Sequence, residues 1–254
     1  MSTISSPSRA SSLVSQPSIS LPSTKLISEL KKYPPEVAHA AIKTLIKKQY
    51  INSLYLTAKD LLGYTDINWH THGEMIRALE NDGLRKLIVM PRGTFKSSVG
   101  SVAYPIWLLI KNPELRIMLD SEKYDNSKNF IREIKGKLKS TEFIKYFGDW
   151  EGPSDWTEGS ITIVPRTVVK KESSITASGI GANKTGQHYD VIIHDDMNSD
   201  KNSGTVEARK KVIAHYQLNT SILDPGGIMA VIGTRYSSDD LIGWIIENEI
   251  GKAA

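Results

Sequence analysis

Two rhythms of apolar residues divide the chain. From Lys25 to about Leu62, the positions Leu26, Leu30, Val37, Ala41, Leu45 and Ile46 recur at helical spacing, and Pro34-Pro35 interrupts them. That spacing lines one face of a helix and predicts a small helical segment over residues 24–62. Near Lys86 the rhythm changes to short apolar runs alternating with amphipathic stretches. Residues 87–90, 115–120, 191–193 and 228–232 read as strands; residues 96–110, 126–138, 206–218 and 239–249 read as helices. Pro105 falls inside the first of these helices, where its missing N–H predicts a kink or an end. Residues 161–164 and 167–169 read as a hairpin. Near-continuous apolar strands alternating with helices imply an α/β domain over 63–254, with a mainly parallel sheet covered by helices on both faces. There is no internal repeat.

Residues 1–23 are rich in Ser, Pro and Thr. Such a stretch buries too little surface to offset its ordering entropy, so it reads as a disordered tail. It lacks the apolar core of a secretion signal. No run of about 18 apolar residues occurs, so no membrane span is expected. The chain has no cysteine, which excludes disulfides and thiolate metal sites. These features fit the cytosol. A net charge of +4 suits a polyanionic partner but equally fits an average domain with a few surplus lysines.

Two segments carry candidate chemistry. The first, Pro91-Arg92-Gly93-Thr94-Phe95-Lys96-Ser97-Ser98, joins the first strand to a helix. Backbone N–H groups and a helix N-terminus at such a junction favour phosphate oxygens. Lys96 can reach the β- and γ-phosphates of a nucleotide, and the Ser97 hydroxyl can ligate Mg²⁺. The pattern departs from G-x-x-x-x-G-K-[ST]: Met90 and Phe95 stand where the glycines belong, leaving Gly93 as the unrestricted backbone. The bland alternative is a Lys-Ser pair opening a surface helix. The second segment ends the apolar strand at 191–193 with His194-Asp195-Asp196. Open α/β sheets bind ligands at this end of their strands. Asp195 is placed to hold Mg²⁺ through water, and Asp196 to polarise an attacking water. The alternative is a solvated turn. Asp120 also ends a strand, but it stands alone and reads as structural.

Further along, the strand at 228–232 is followed by Gly233-Thr234-Arg235-Tyr236-Ser237-Ser238-Asp239-Asp240. Thr234 is the candidate that senses the γ-phosphate; Ser238 or Asp239 can N-cap the last helix. His70 and His72 lie before the first strand and lack the clustered partners of a zinc site. The Gly-rich run 179–186 precedes its strand, whereas a dinucleotide-binding loop follows one, so it reads as a mobile loop. Arg166, Lys170, Lys171, Lys135, Lys137 and Lys139 carry charge enough for a phosphate backbone, but lysine clusters are usually solvated faces and none is named as a DNA site.

The stretch Pro91–Ser98, the Ile-Ile-x-Asp-Asp strand end and, more loosely, the Gly-Thr segment resemble, in order, the ATPase motifs of tailed-bacteriophage terminase large subunits. The resemblance covers about residues 60–241. It implies an additional-strand, RecA-like P-loop ATPase using ATP and Mg²⁺ to drive double-stranded DNA into a procapsid. Arg92 would contact the γ-phosphate in cis, His72 (less well His70) would help bind adenine, and Lys184 is the basic residue nearest a trans-acting finger. Implied partners are the portal protein, a small terminase subunit and further copies in a ring. The implied setting is the host cytoplasm, transiently at the portal and not in the mature virion. The family's nuclease domain is not expected in this chain. Two rivals stand beside the motor: another DNA-directed ATPase such as a helicase, and a non-enzymatic DNA-binding or scaffold protein with a decayed loop.

Overall fold

A computed structural model describes residues 15–20, 23–184 and 186–250. The chain opens with helices α1 (Thr24–Leu30), α2 (Pro35–Asn52) and α3 (Leu54–Leu56), the last continuing into a π-helical turn, Thr57–Leu61. The Pro34-Pro35 break falls between α1 and α2, with Pro35 in the first turn of α2 where its missing N–H is harmless. Helix α4 (Trp69–Glu80) follows, capped by the Asn68 side chain, which accepts from the Thr71 N–H at 2.9 Å. Strand β1 (Arg85–Val89) leads to a π-helical segment, Ser98–Ala103, that runs straight into α5 (Tyr104–Lys111). Pro105 therefore marks the place where the π-helical segment ends and the α-helix begins. It sits in the first turn of the α-helical part, where the hydrogen-bond register changes and its absent donor is least missed.

The remaining elements are β2 (Ile117–Ser121), α6 (Tyr124–Leu138), α7 (Thr141–Phe147), β3 (Glu151–Trp156), β4 (Ser160–Ile163), β5 (Ile175–Gly179), β6 (Tyr189–Asp195), α8 (Asp200–Ser203), α9 (Val206–Ser221), β7 (Leu223–Gly233) and α10 (Leu241–Ile245), which passes into a π turn, Ile246–Ile250. Among the described residues the strands form one seven-stranded sheet in the order β1-β7-β6-β2-β5-β4-β3. The first five are mutually parallel; β4 pairs antiparallel with both β5 and β3. This mixed sheet with helices around it is compatible with a P-loop-like α/β fold.

The expected hairpin partner at 167–169 is not a strand. The Thr167 N–H and hydroxyl and the Val168 N–H all donate to the Glu114 carboxylate, at 2.9, 2.8 and 3.0 Å, and this diverts the β-branched run from sheet pairing. Instead β4 pairs with β3 and β5. Neither was legible: β3 carries a proline and charged residues, and β5 is the small, polar run ITASG.

Strand residues alternate between two cores. Ile117, Leu119, Val191, Ile193, Ala230 and Ile232 face the larger core with α4 and α5, whereas Met118, Ile192, Met229 and Val231 face α9 and α10 through Tyr216, Leu241 and Ile245. Tyr50, Leu54, Tyr55 and Leu61 join the larger core, so the helical segment is continuous with it. Within the stretch read as a disordered tail, Ser20 exchanges two hydrogen bonds with Gln49 and Ile19 packs on the larger core. Residues 1–14, 21 and 22 lie outside the described residues.

At the end of the sheet away from the Lys-Ser turn, Arg116 ties four segments together. Its Nε and Nη2 donate to the two carboxylate oxygens of Asp190 at 3.0 and 2.9 Å, Nη2 also reaches Asp224, and Nη1 lies 3.5 Å from Glu172. The bond to Asp190 leads in pushing the guanidinium pKa above its ordinary value, against the effect of burial. Arg116→Ala would leave three clustered carboxylates with only the more distant Lys170 ammonium, 3.9 Å from Asp190, and should lower unfolding free energy by about 3 kcal/mol. Arg116→Lys should recover less than half of that, because an ammonium cannot serve the planar fork. Urea unfolding of the three proteins measures both.

Candidate active site

The turn after β1 is held by its own polar groups. The Thr94 hydroxyl donates to the Pro91 carbonyl at 2.8 Å, and the backbone is left-handed at Gly93 (φ 76°) and at Phe95 (φ 54°). A β-carbon at Gly93 would meet nothing within 4 Å, so glycine serves conformation there, not space. Phe95 occupies the place of the second glycine and adopts a left-handed φ in spite of its side chain, which is rare for a bulky residue. Lys96 and Ser97 then open the helix, with Lys96 5% exposed. The π-helical segment can lie close against the sheet because Gly100 has no side chain; a β-carbon there would stand 2.1 Å from the Ile232 Cδ1 atom.

The acidic strand end meets this turn. The Ser97 hydroxyl donates to Asp195 Oδ1 at 3.1 Å, and Lys96 Nζ lies 3.4 Å from Asp196 Oδ2. Asp195 is 2% exposed and its Oδ2 is buried without a partner. Burial first, and then the Asp196 charge, push its carboxyl up to about 7, against hydrogen bonding from Ser97 and Ser101 and the Lys96 charge. A buried, unpartnered carboxylate oxygen beside a serine hydroxyl offers the oxygen donors a small divalent cation takes, so Ser97 and Asp195 fit Mg²⁺. Asp196 leaves the strand with φ 44°, its N–H donating to the Ile232 carbonyl at 2.9 Å.

The segment after β7 also reaches the turn. The Thr234 hydroxyl donates to the Met90 carbonyl at 2.9 Å, and the Met90 N–H donates to the Gly233 carbonyl at 3.1 Å. The Arg92 guanidinium stands 5.2 Å from the centre of the Tyr236 ring, a contact with no periodic signature in the sequence. The last helix is capped by Asp240, not by Ser238 or Asp239: its carboxylate accepts from the N–H groups of Tyr236, Ser237 and Gly243. His72 is buried, with Nε2 3.0 Å from the Thr94 carbonyl, whereas His70 is exposed.

Asp120 does not stand alone. It faces the other side of the sheet, in register with His194, and its carboxylate lies within 3.1 Å of four donors: His194 Nδ1, His215 Nε2, Asn219 Nδ2 and Lys184 Nζ. Burial opposes the charge, but the histidine hydrogen bonds and the lysine hold the carboxyl well below its usual range. Lys184, the residue nearest a trans-acting finger by resemblance, is 4% exposed and tied to Asp120 and Asn219, so it offers nothing to a neighbouring chain in this conformation. Among the lysines and arginines weighed for DNA, Arg166 donates to the Glu172 carbonyl, Lys135 to Trp156 and Thr157, and Lys137 to Leu62. Among the described residues no three His, Asp or Glu side chains are arranged so that they could hold a metal ion together.

The folded pKa of Asp195 lies above the ordinary carboxylate value. Its ionisation therefore opposes folding, progressively from that ordinary value up to about pH 7 and fully above it. Asp195→Asn removes the charge and keeps the shape. At pH 8, without divalent cation or nucleotide, it should melt about 3 °C or more above the parent. A lower melting temperature would mean that the carboxylate is compensated by contacts other than these.

No family model matches the sequence. The chain is 29% identical over 158 residues, 60% of its length, to the terminase large subunit of Enterobacteria phage T3. That stretch spans 26% of the phage protein, about a quarter of its length. No helix among the described residues is long and apolar enough to cross a membrane. The likeness is to a terminase large subunit, and it is a distant one.

Proposed function

We propose that the chain is an ATP-hydrolysing motor domain of a DNA-packaging terminase, with a P-loop site built from residues 91–98, Asp195, Asp196 and Thr234. The observation that carries the reading is the meeting of the Lys-Ser turn with the acidic pair across 98 residues of sequence. The relative in phage T3, named a terminase large subunit, supports the class of work.

Lys96 carries the mechanism's first step. Its charge is balanced by Asp196 at 3.4 Å. A triphosphate brings a stronger counter-charge to the turn, takes Lys96 for its β- and γ-oxygens and releases the Asp196 carboxylate toward solvent. Asp196, 45% exposed at its side chain, then orients a water on the γ-phosphorus and takes its proton as the bond to the ADP oxygen breaks. Mg²⁺, when bound by Ser97 and Asp195, supplies positive charge to the phosphates. Pro91, Gly93, Thr94, Phe95 and Ser98 shape the turn, with its N–H groups turned to phosphate. Arg92 moves from the Tyr236 ring to the γ-phosphate. Thr234, bonded to the Met90 carbonyl, senses the loss of that phosphate and passes it to the segment before α10. Double-stranded DNA, the portal protein, a small terminase subunit and further copies of the chain are the partners this reading implies.

Mg-ATP turnover with double-stranded DNA present tests it. Lys96→Ala should lose at least 100-fold in kcat/KM, and Asp196→Asn at least 100-fold in kcat with KM changed less than about threefold. Parent protein that binds no ATP, or that binds ATP and fails to hydrolyse it in the presence of DNA and portal, would sink the motor reading in favour of the scaffold.

A further inference from the structure

We infer that His72 is a positioning residue: by holding the Thr94 carbonyl it keeps Phe95 left-handed and sets the phosphate-binding turn before a nucleotide arrives. The inference rests on the reading above that residues 91–98 hold phosphates. It concerns how a turn lacking the expected glycine keeps its shape.

The His72 ring is 2% exposed and fixed from both ends. The Thr94 carbonyl, 3.0 Å from Nε2, can only accept, so Nε2 carries the proton. Nδ1 lies 3.1 Å from the Asn68 nitrogen and 3.0 Å from the Asn68 carbonyl oxygen, so the Asn68 backbone holds that edge of the ring. Asn68 is the N-cap of α4, so the ring is anchored to the start of that helix.

Helix α4 is a firm support. Met75, Ile76 and Leu79 sit in the larger core, and at the far end Lys86 from β1 donates to the carbonyls of Ala78 and Asn81 at 3.0 and 2.7 Å. A cation on the last carbonyls of a helix satisfies groups that otherwise lack a partner. Thr94 is therefore held to a rigid element by a buried donor.

The next residue is the one that needs holding. Phe95 has φ 54°, a conformation that glycine takes freely and that a residue with a β-carbon leaves when it can. Its ring stands edge-on to the His72 ring, with centroids 6.4 Å apart and planes at 68°, so the same histidine bears on both residues of the turn. With both ring nitrogens engaged by backbone, His72 keeps no free edge for reading a base. It acts on the nucleotide through the turn.

Amide hydrogen exchange of the nucleotide-free full chain, followed by ATP kinetics, separates this from a purely structural role. His72→Met fills the same space without a donor; His72→Gln retains a donor that reaches Thr94. His72→Met should speed exchange over residues 91–98 by about tenfold, with β6 amides unchanged, and raise KM for ATP by about tenfold with kcat within about threefold. His72→Gln should restore most of both. Adding Phe95→Gly to His72→Met should also recover most of the loss, because glycine holds the left-handed φ unaided.

Unchanged exchange over 91–98 in His72→Met overturns the inference, and so does a Phe95→Gly addition that deepens the loss. If the parent protein neither binds nor hydrolyses ATP, the nucleotide reading fails on its own, while the exchange comparison still decides whether His72 holds the turn. An exchange rise spread evenly over the chain in His72→Met would mark the histidine as a general packing residue and would also overturn it.

Discussion

The C-terminal end of β7 sets the spacing on which the site depends. It lies between β1, which delivers the Lys-Ser turn, and β6, which delivers the two aspartates. Register places Val89 opposite Gly233 and Asp195 opposite Ile232, so the three strand ends finish at one level. Hydrogen bonds then continue past the strands on both sides: the Met90 N–H to the Gly233 carbonyl, the Asp196 N–H to the Ile232 carbonyl, and the Thr234 hydroxyl back to the Met90 carbonyl. Parallel pairing is what makes this possible, because it brings the chain out of every strand at the same edge of the sheet. A displacement of two or three residues in β7 is felt directly at both halves of the site. The residue proposed to sense the γ-phosphate thus sits in the strut that separates the Lys-Ser turn from the acids.

Two buried carboxylates near this edge show how environment divides one residue type. Asp120 and Asp195 are each 1–2% exposed, and burial opposes ionisation in both. Asp120 faces α9, and His215 and Asn219 of that helix, with His194 of β6 and Lys184 of the loop before β6, satisfy its oxygens and hold its carboxyl well below the usual range. Asp195 faces the π-helical segment, has a hydrogen bond from Ser97, keeps one oxygen bare beside a second carboxylate and is pushed up to about 7. The first is a closed structural network that ties α9 and the loop before β6 to the sheet. The second is the carboxylate proposed to hold a cation. Alternation along β6 is enough to produce the difference, since His194 and its neighbour Asp195 point to opposite faces.

The parts of the fold legible in the sequence are those where side-chain pattern and burial agree. Residues 191–193 and 228–232 are uniformly apolar because both faces of β6 and β7 are covered, and the Asp-Asp pair could be assigned to a strand end for that reason. The sheet's antiparallel margin was hidden. In β3 and β5 the residues are small, polar or proline, and their pairing is imposed by neighbours. Asp120 looked solitary because its partners come from 64 to 99 residues away, and only the register of β2 with β6 brings His194 opposite it. The stretch Pro91–Ser98 was readable; the Tyr236 ring over which Arg92 rests was not, because cation–π partners leave no periodic trace.

The departures at Met90 and Phe95 are instructive about what a motif records. Glycine in a phosphate-binding turn contributes no chemistry to phosphate; it contributes access to φ angles that other residues take at a penalty of roughly 1–2 kcal/mol. Met90 needs no such angle, because it is still extended enough to pair with Gly233. Phe95 does need it and adopts it. Lys96 and Ser97, by contrast, have no substitutes: an ammonium and a hydroxyl must face the acids, and both are in place. A consensus counts these four positions alike, although two are conformational and two are chemical. A chain that fails the conformational positions while its backbone still takes the required shape has kept the part of the motif that acts on a ligand. Its surroundings then have to hold the shape that glycine would have allowed.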